Sequence, residues 1–246
     1  MSTTESAGAM VPPAAVIVLA AGKGTRMKSK TPKILHEICG RSMVEHSLAA
    51  ARSLDPQRLA VVVRHDRDRV AQHVLAFDPE AIIADQSEVP GTGSAVLAGL
   101  EALDAQHRVE GTVVVTYGDV PLLTPDTLAD LVRTHQDNGS AVTVLTAQHP
   151  EPGKYGRILR DADGSFADIR EFKDATEAER AVAEINSGIF AFDADVLRDS
   201  LAAVTTDNAQ GEMYLTDVPR IAREAGGRVD AALMEDYMEP VSYTHL

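Results

Sequence analysis

Short apolar runs alternate with amphipathic stretches through the first 145 residues of the chain. The runs at 15–19, 59–63, 81–84, 112–115 and 141–145 have strand length, and several are rich in β-branched residues, as strands buried on both faces should be. Between them, residues 43–54, 68–77, 93–103 and 125–138 read as helices. The last of these has Thr124 in the cap position, Pro125 in the first turn and Gly139 as its stop. Such alternation implies right-handed crossovers and a doubly wound, mainly parallel, Rossmann-like α/β sheet. Past residue 150 the rhythm changes. Stretches 155–159 and 166–172 flank an Asp161-Ala162-Asp163-Gly164 turn, which predicts a hairpin. A strand at 185–192, helices at 193–203 and 215–225 and a strand at 228–233 follow. The expected organisation is one α/β domain over 14–236 with a hairpin-bearing lid. Residues 1–13 are expected to be a disordered lead-in, and 237–246 an atypical tail.

Composition narrows the classes. With 44% hydrophobic and 24% charged residues, the 246-residue chain is an ordinary globular protein. A formal net charge of −14 argues against general affinity for nucleic acid or anionic membrane. No apolar run approaches the roughly 20 residues of a membrane span. A single cysteine, Cys39, excludes an internal disulfide and fits a reducing cytoplasm. The eight histidines show no zinc spacing. Asp66-Arg67-Asp68 is an Asp-x-Asp whose arginine neutralises it, and the 161–164 turn is too short for a calcium loop.

One segment departs from this acidic background. Leu19-Ala20-Ala21-Gly22-Lys23-Gly24-Thr25-Arg26-Met27 directly follows the first predicted strand, where open α/β sheets bind their ligands. Small residues there let backbone N–H groups approach a phosphate. Lys23, Arg26, Lys28, Lys30 and Lys33 place five of the 23 basic residues within 11 positions. Pro32 holds the residue before it extended, which can fix where Lys33 points. A Walker loop is excluded by spacing, and a dinucleotide fingerprint by Met27. The basic cluster and Thr31-Pro32-Lys33 favour a polyphosphate site over the alternative, a Gly-rich turn with a solvated basic face.

Three further groups lie on or just after predicted strands. Gln86 and Gly91-Thr92-Gly93-Ser94 open a helix, where they either bind a ligand or cap that helix. Asp119, after Thr116-Tyr117-Gly118, is placed either for Mg²⁺ or to cap a turn. Gly156, Glu171 and Asn186 lie in the second half, where a single Glu or Asn near a strand end is usually just solvated, although a sugar's hydroxyls and amide do call for such hydrogen-bonding groups.

Taken together, the Leu19–Met27 loop, Pro32-Lys33 and these groups resemble the sugar-phosphate nucleotidyltransferases, most closely the uridylyltransferase domain of the bacterial bifunctional N-acetylglucosamine-1-phosphate uridyltransferases. The resemblance runs from about residue 16 to 236. It implies in-line, Mg²⁺-dependent transfer from UTP to N-acetylglucosamine 1-phosphate, for cell-wall precursor synthesis. By that resemblance Arg26, Lys33 and Asp119 are catalytic, and Asp119 is the metal ligand. Leu19, Ala20, Ala21, Gly22, Lys33, Gln86, Gly91, Thr92, Tyr117, Gly118, Asp119, Gly156, Glu171 and Asn186 would line the substrates. The segment 208–217 would support the site. The family's acetyltransferase β-helix, with its trimer contacts, has no counterpart in these residues, so a monomer acting on small molecules is expected. The asparagine that gives the family's metal its second protein ligand maps onto no residue of the 237–246 tail. Two alternatives stay open: a cytidylyltransferase acting on methylerythritol phosphate, and a non-catalytic nucleotide-sugar-binding module.

Overall fold

The computed structural model describes residues 10–24, 27 and 29–240. Its main sheet is mixed, with a parallel centre. The central strands are β1 (Ala15–Leu19), β4 (Arg58–Val63), β5 (Ile82–Asp85) and β6 (Thr112–Tyr117). They pair in parallel, β1 lying between β4 and β6. Beyond β6 come β10 (Glu184–Asp193), β7 (Val142–Gln148) and β11 (Val229–Leu233). Here β10 runs antiparallel to both neighbours, while β11 is parallel to β7.

Alternate residues of β1 explain the layers. Ile17 and Leu19 join the cluster containing α3 (Thr92–Asp104), α6 (Ala194–Ala203) and α7 (Val218–Glu224). Val16 and Val18 join the cluster containing α1 (Met43–Arg52), α2 (Arg67–Phe77) and α4 (Pro125–Asn138). All five residues of β1 are buried, which is why its run is unbroken by polar positions. Each fully buried Val or Ile contributes roughly 1.5–3 kcal/mol of transfer free energy.

The parallel elements fall where the sequence pattern puts them, within one or two residues. In α4, Thr124 accepts from the Thr127 N–H, Pro125 opens the helix and left-handed Gly139 ends it. The expected 215–225 helix divides into a 3-10 turn, Leu215–Asp217, and α7. The hairpin is β8 (Arg157–Arg160) with β9 (Phe166–Arg170), and β8 also pairs with β10, which ties the lid into the sheet. A two-stranded hairpin of β2 (Glu37–Ile38) and β3 (Arg41–Ser42), and a short α5 (Glu177–Arg180), have no counterpart in the pattern reading.

Both ends of the described span contact the domain. Val11 exchanges two hydrogen bonds with the Gln136 amide, and the Gln57 N–H donates to the Pro13 carbonyl, so residues 10–13 are tied to the domain. At the other end Tyr237 packs edge-on against His149 at 4.9 Å. Glu239 accepts from both the N–H and the hydroxyl of Thr124. Residues 1–9 and 241–246 lie outside the described residues.

Candidate active site

The chain winds from β1 through α1 to β4 and through α2 to β5, then α3 returns it past β1 to β6. The reversal lies between β1 and β6, and it opens a crevice at their carboxyl ends. A cleft of about 640 Å³ occupies that place. Leu19, Ala20, Ala21 and Gly22 form its edge below β1. Tyr117 and Asp119 contribute the β6 side. The Gly118 N–H donates to the Leu19 carbonyl at 2.9 Å, locking the two strand ends together, so Gly118 braces the cleft rather than lining it. Arg26, with Thr25 and Lys28, lies outside the described residues.

Lys33 reaches this floor from a 3-10 turn, Lys33–Leu35, that starts behind extended Pro32 and is anchored by buried Ile34. Gly24 admits it: a Cβ there would fall 2.6 Å from the Lys33 Cβ, and its φ of +57° is left-handed. The Lys33 ammonium meets Asp119 Oδ2 at 2.5 Å, with the two side chains 9% and 23% exposed. Among the described residues no cluster of three or more His, Cys, Asp or Glu could hold a metal. A carboxylate at the carboxyl end of a strand suits Mg²⁺ bound chiefly through water and substrate phosphate oxygens, and Asp119, just past β6, has that position.

The wall beside α3 is built by backbone contacts. Neither Thr92 nor Ser94 caps α3; its cap position is Gly91, which has no side chain to do so. Thr92 instead accepts from the Leu215 N–H at 3.1 Å, and the Gly93 N–H donates to the Met213 carbonyl. The 208–217 segment is therefore stitched onto the turn that opens α3. Gln86 donates through Nε2 to the Gly91 carbonyl at 2.9 Å. Gln86, Gly91 and Thr92 all line the cleft.

Gly156, Glu171 and Asn186 form a second group behind Tyr117. The Asn186 N–H donates to the Gly156 carbonyl, and Asn186 Oδ1 accepts from the Gly188 N–H. Gly188 sits in an irregularity of β10 between Asn186 and Phe190, with φ at +82°. A Cβ on it would lie 2.5 Å from Tyr117 Cε2, so the tyrosine ring rests on bare backbone. Glu171 accepts from the Thr216 hydroxyl at 3.0 Å. Burial pushes its carboxyl above the usual range, outweighing that hydrogen bond, and Asp174, Asp217 and Glu212 push the same way. The Tyr117 phenol is likewise raised, first by burial and then by Glu171 and Asp119.

Gly24, Ile34, Ala95, Lys154, Tyr155 and Glu212 also line the cleft, and the sequence pattern assigns none of them to the substrates. Gly24, Tyr155 and Glu212 belong to segments that the pattern marks, but Lys154 carries no signal of its own. The Asp66–Asp68 pair is quiet: Arg67 pairs with Asp68 and Asp85.

Residues 16–188 match the family model described as the MobA-like NTP transferase domain. The chain belongs to this family. The matched span runs from β1 to Gly188 and holds both the Lys33–Asp119 pair and the second group. Proteins named bifunctional protein GlmU are similar to it. The one from Paenarthrobacter aurescens is 67% identical over 91% of this chain and 45% of its own length. That from Streptomyces avermitilis is 58% identical over 92% and 47%. The chain thus spans about half the length of the curated relatives it matches. Two solved structures share the fold: an inositol-1-phosphate CTP transferase from T. maritima, and a putative glucose-1-phosphate thymidylyltransferase from Bacillus anthracis. The first has a TM-score of 0.68 and 15% identity, covering 91% of this chain and 86% of its own. The second has a TM-score of 0.70 and 17% identity, covering 89% and 86%.

Proposed function

We propose that this chain transfers the uridylyl group of UTP to N-acetylglucosamine 1-phosphate, giving UDP-N-acetylglucosamine and pyrophosphate for cell-wall precursors. The observation that carries the reading is the Lys33–Asp119 pair at 2.5 Å on the cleft floor, between the wall of Gln86, Gly91 and Thr92 and the group of Gly156, Glu171 and Asn186. The kinship with bifunctional GlmU proteins supports the choice of UTP and the amino sugar.

A phosphate oxygen of the sugar phosphate forms the new bond to the α-phosphorus. The bond from that phosphorus to the α–β bridging oxygen breaks, and its electron pair leaves with pyrophosphate. No covalent enzyme intermediate is needed, so the residues act by positioning and charge neutralisation. Arg26 and Lys33 hold the triphosphate and meet the charge that develops on pyrophosphate. Gln86, Gly91 and Thr92 present polar groups to the uracil edge, while Gly156, Glu171 and Asn186 receive the amino sugar. Asp119 is the protein ligand we assign to Mg²⁺, which when bound would add positive charge to the reacting phosphates.

Pyrophosphate release by the purified chain tests the reading, with UTP set against CTP and a panel of sugar 1-phosphates. Release from UTP with N-acetylglucosamine 1-phosphate is expected. Preference for CTP would support a cytidylyltransferase instead. Tight binding of UDP-N-acetylglucosamine without release would make the chain a binding module.

A further inference from the structure

In-line transfer sets a requirement that the residues named so far do not meet. The attacking phosphate approaches the α-phosphorus from the side opposite the leaving pyrophosphate. A cation for the attacking group therefore belongs on the wall away from the basic loop. Among the described residues, the charged side chains lining the cleft are Lys33, Asp119, Lys154 and Glu212. Lys33 is engaged with Asp119 at the β1 end, and Glu212 repels anions.

We propose that Lys154 binds the phosphate of the incoming sugar phosphate, an inference that rests on the nucleotidyl-transfer reading above. Lys154 stands in the turn between β7 and β8. Strand β7 lies three strand spacings from β1, roughly 14 Å across the sheet. Two residues further on, Gly156 accepts from the Asn186 N–H, so the turn leads straight into the sugar group. Lys154 itself is exposed, and it makes no hydrogen bond or ion pair among the described residues.

The turn that carries it is rigidly supported. Arg157 is 2% exposed and lies with its guanidinium among the turn's carbonyls. It donates to Gly153 at 2.9 Å, to Tyr155, to Pro152 at 3.4 Å and to Arg180 at 3.2 Å. The Tyr155 N–H closes the turn on the Pro152 carbonyl. A guanidinium with its donors fixed on both sides of Lys154 holds that backbone, so only the lysine's own stem remains to be ordered by a ligand.

The test is calorimetric binding to the whole chain loaded with a non-reactive UTP analogue and Mg²⁺. The probes are N-acetylglucosamine 1-phosphate and the uncharged methyl glycoside of the same sugar. Lys154→Met should weaken binding of the sugar phosphate about tenfold, the size of one charge-assisted hydrogen bond. It should leave the glycoside and the UTP analogue unaffected, and Lys154→Arg should recover most of the loss. Equal weakening of both sugars, a loss falling on the UTP analogue, or no change overturns the assignment. If the wild-type chain binds no sugar phosphate at all, the proposed function fails and takes this inference with it. Normal wild-type binding with an unaffected variant counts against Lys154 alone.

Discussion

At the scale of single residues, the site is defined by which charges are paired and which are left strained. Lys33 is held by a 2.5 Å contact to Asp119 and by the close approach of Gly24, so its ammonium is placed before any substrate arrives. A preorganised cation costs little reorganisation during transfer. Lys33→Ala should lower kcat by about 10²–10³ at saturating UTP, the range seen when a single electrostatic stabiliser is removed elsewhere. Turnover close to wild type would remove Lys33 from the catalytic group. Glu171 illustrates the opposite condition. Its carboxyl is raised by burial and by three acidic neighbours, so the ionised form destabilises the fold above its folded pKa. Glu171→Gln should raise the melting temperature at neutral pH by a few degrees, about 2–4 °C for each kcal/mol relieved. The gain should vanish as the pH falls below the ordinary glutamate range, where the wild-type side chain is neutral as well. The same variant should bind the amino sugar more weakly. Melting curves at two pH values, set beside sugar-phosphate titrations, check both halves.

At the scale of elements, the legible parts are those whose burial is set by position in the sheet. Strands β1, β4 and β6 lie inside a two-faced layer, so their apolar runs have no polar interruption and can be read directly. The α4 ends were equally legible, because Thr124, Pro125 and Gly139 each act within their own turn. Features settled by distant partners were not. The Thr92 hydroxyl accepts from the Leu215 N–H, far along the chain, and only the fold decides that over capping. The Cys39–Gly40 turn of the β2–β3 hairpin has positive φ at both residues, and cysteine is not a residue that signals such a turn. The β10 irregularity depends on the Ser187 hydroxyl accepting from the Ile189 N–H and donating to Leu145. Lys154 was missed because its setting is created by Arg157 beneath it. The irregularity yields a prediction: Gly188→Ala places a methyl against the Tyr117 ring at a left-handed φ. Tyr117 must then move toward the cleft, so sugar-phosphate affinity should fall tenfold or more, with a stability loss of about 1–3 kcal/mol. Unchanged affinity would mean that the ring yields elsewhere. Helix α4 yields another. His135 is buried beside the Thr143 hydroxyl, and burial pushes its imidazole down to about 4. On acidification the unfolded chain therefore takes up the proton first. The stability at stake is intact above about pH 6.5 and is lost down to about pH 4, up to roughly 3 kcal/mol. His135→Gln should flatten that part of the stability profile, as measured by urea unfolding at a series of pH values.

At the scale of the whole molecule, the general field and the local one have opposite signs. The chain carries a net charge of −14, yet Lys23, Arg26, Lys28, Lys30 and Lys33 put five positive charges within 11 positions of the sequence that follows β1. Self-repulsion among the surface acids opposes folding, and salt screens it over a Debye length of about 8–10 Å near physiological ionic strength. The basic loop is attractive to a triphosphate over the same distance, and salt screens that attraction too. Raising NaCl from about 0.02 to about 0.2 M should therefore raise the melting temperature of the free chain while weakening its binding of UTP. Replacing Lys23, Lys28 and Lys30 together with glutamine should reduce the salt dependence of UTP binding. The salt dependence of melting should persist, because it belongs to acids spread over the remaining surface. Parallel thermal melts and UTP titrations across that salt range decide the matter. If both properties moved in the same direction, the placement of the polyphosphate site in the basic loop would fail, because the ligand would then be experiencing the acidic field of the whole protein.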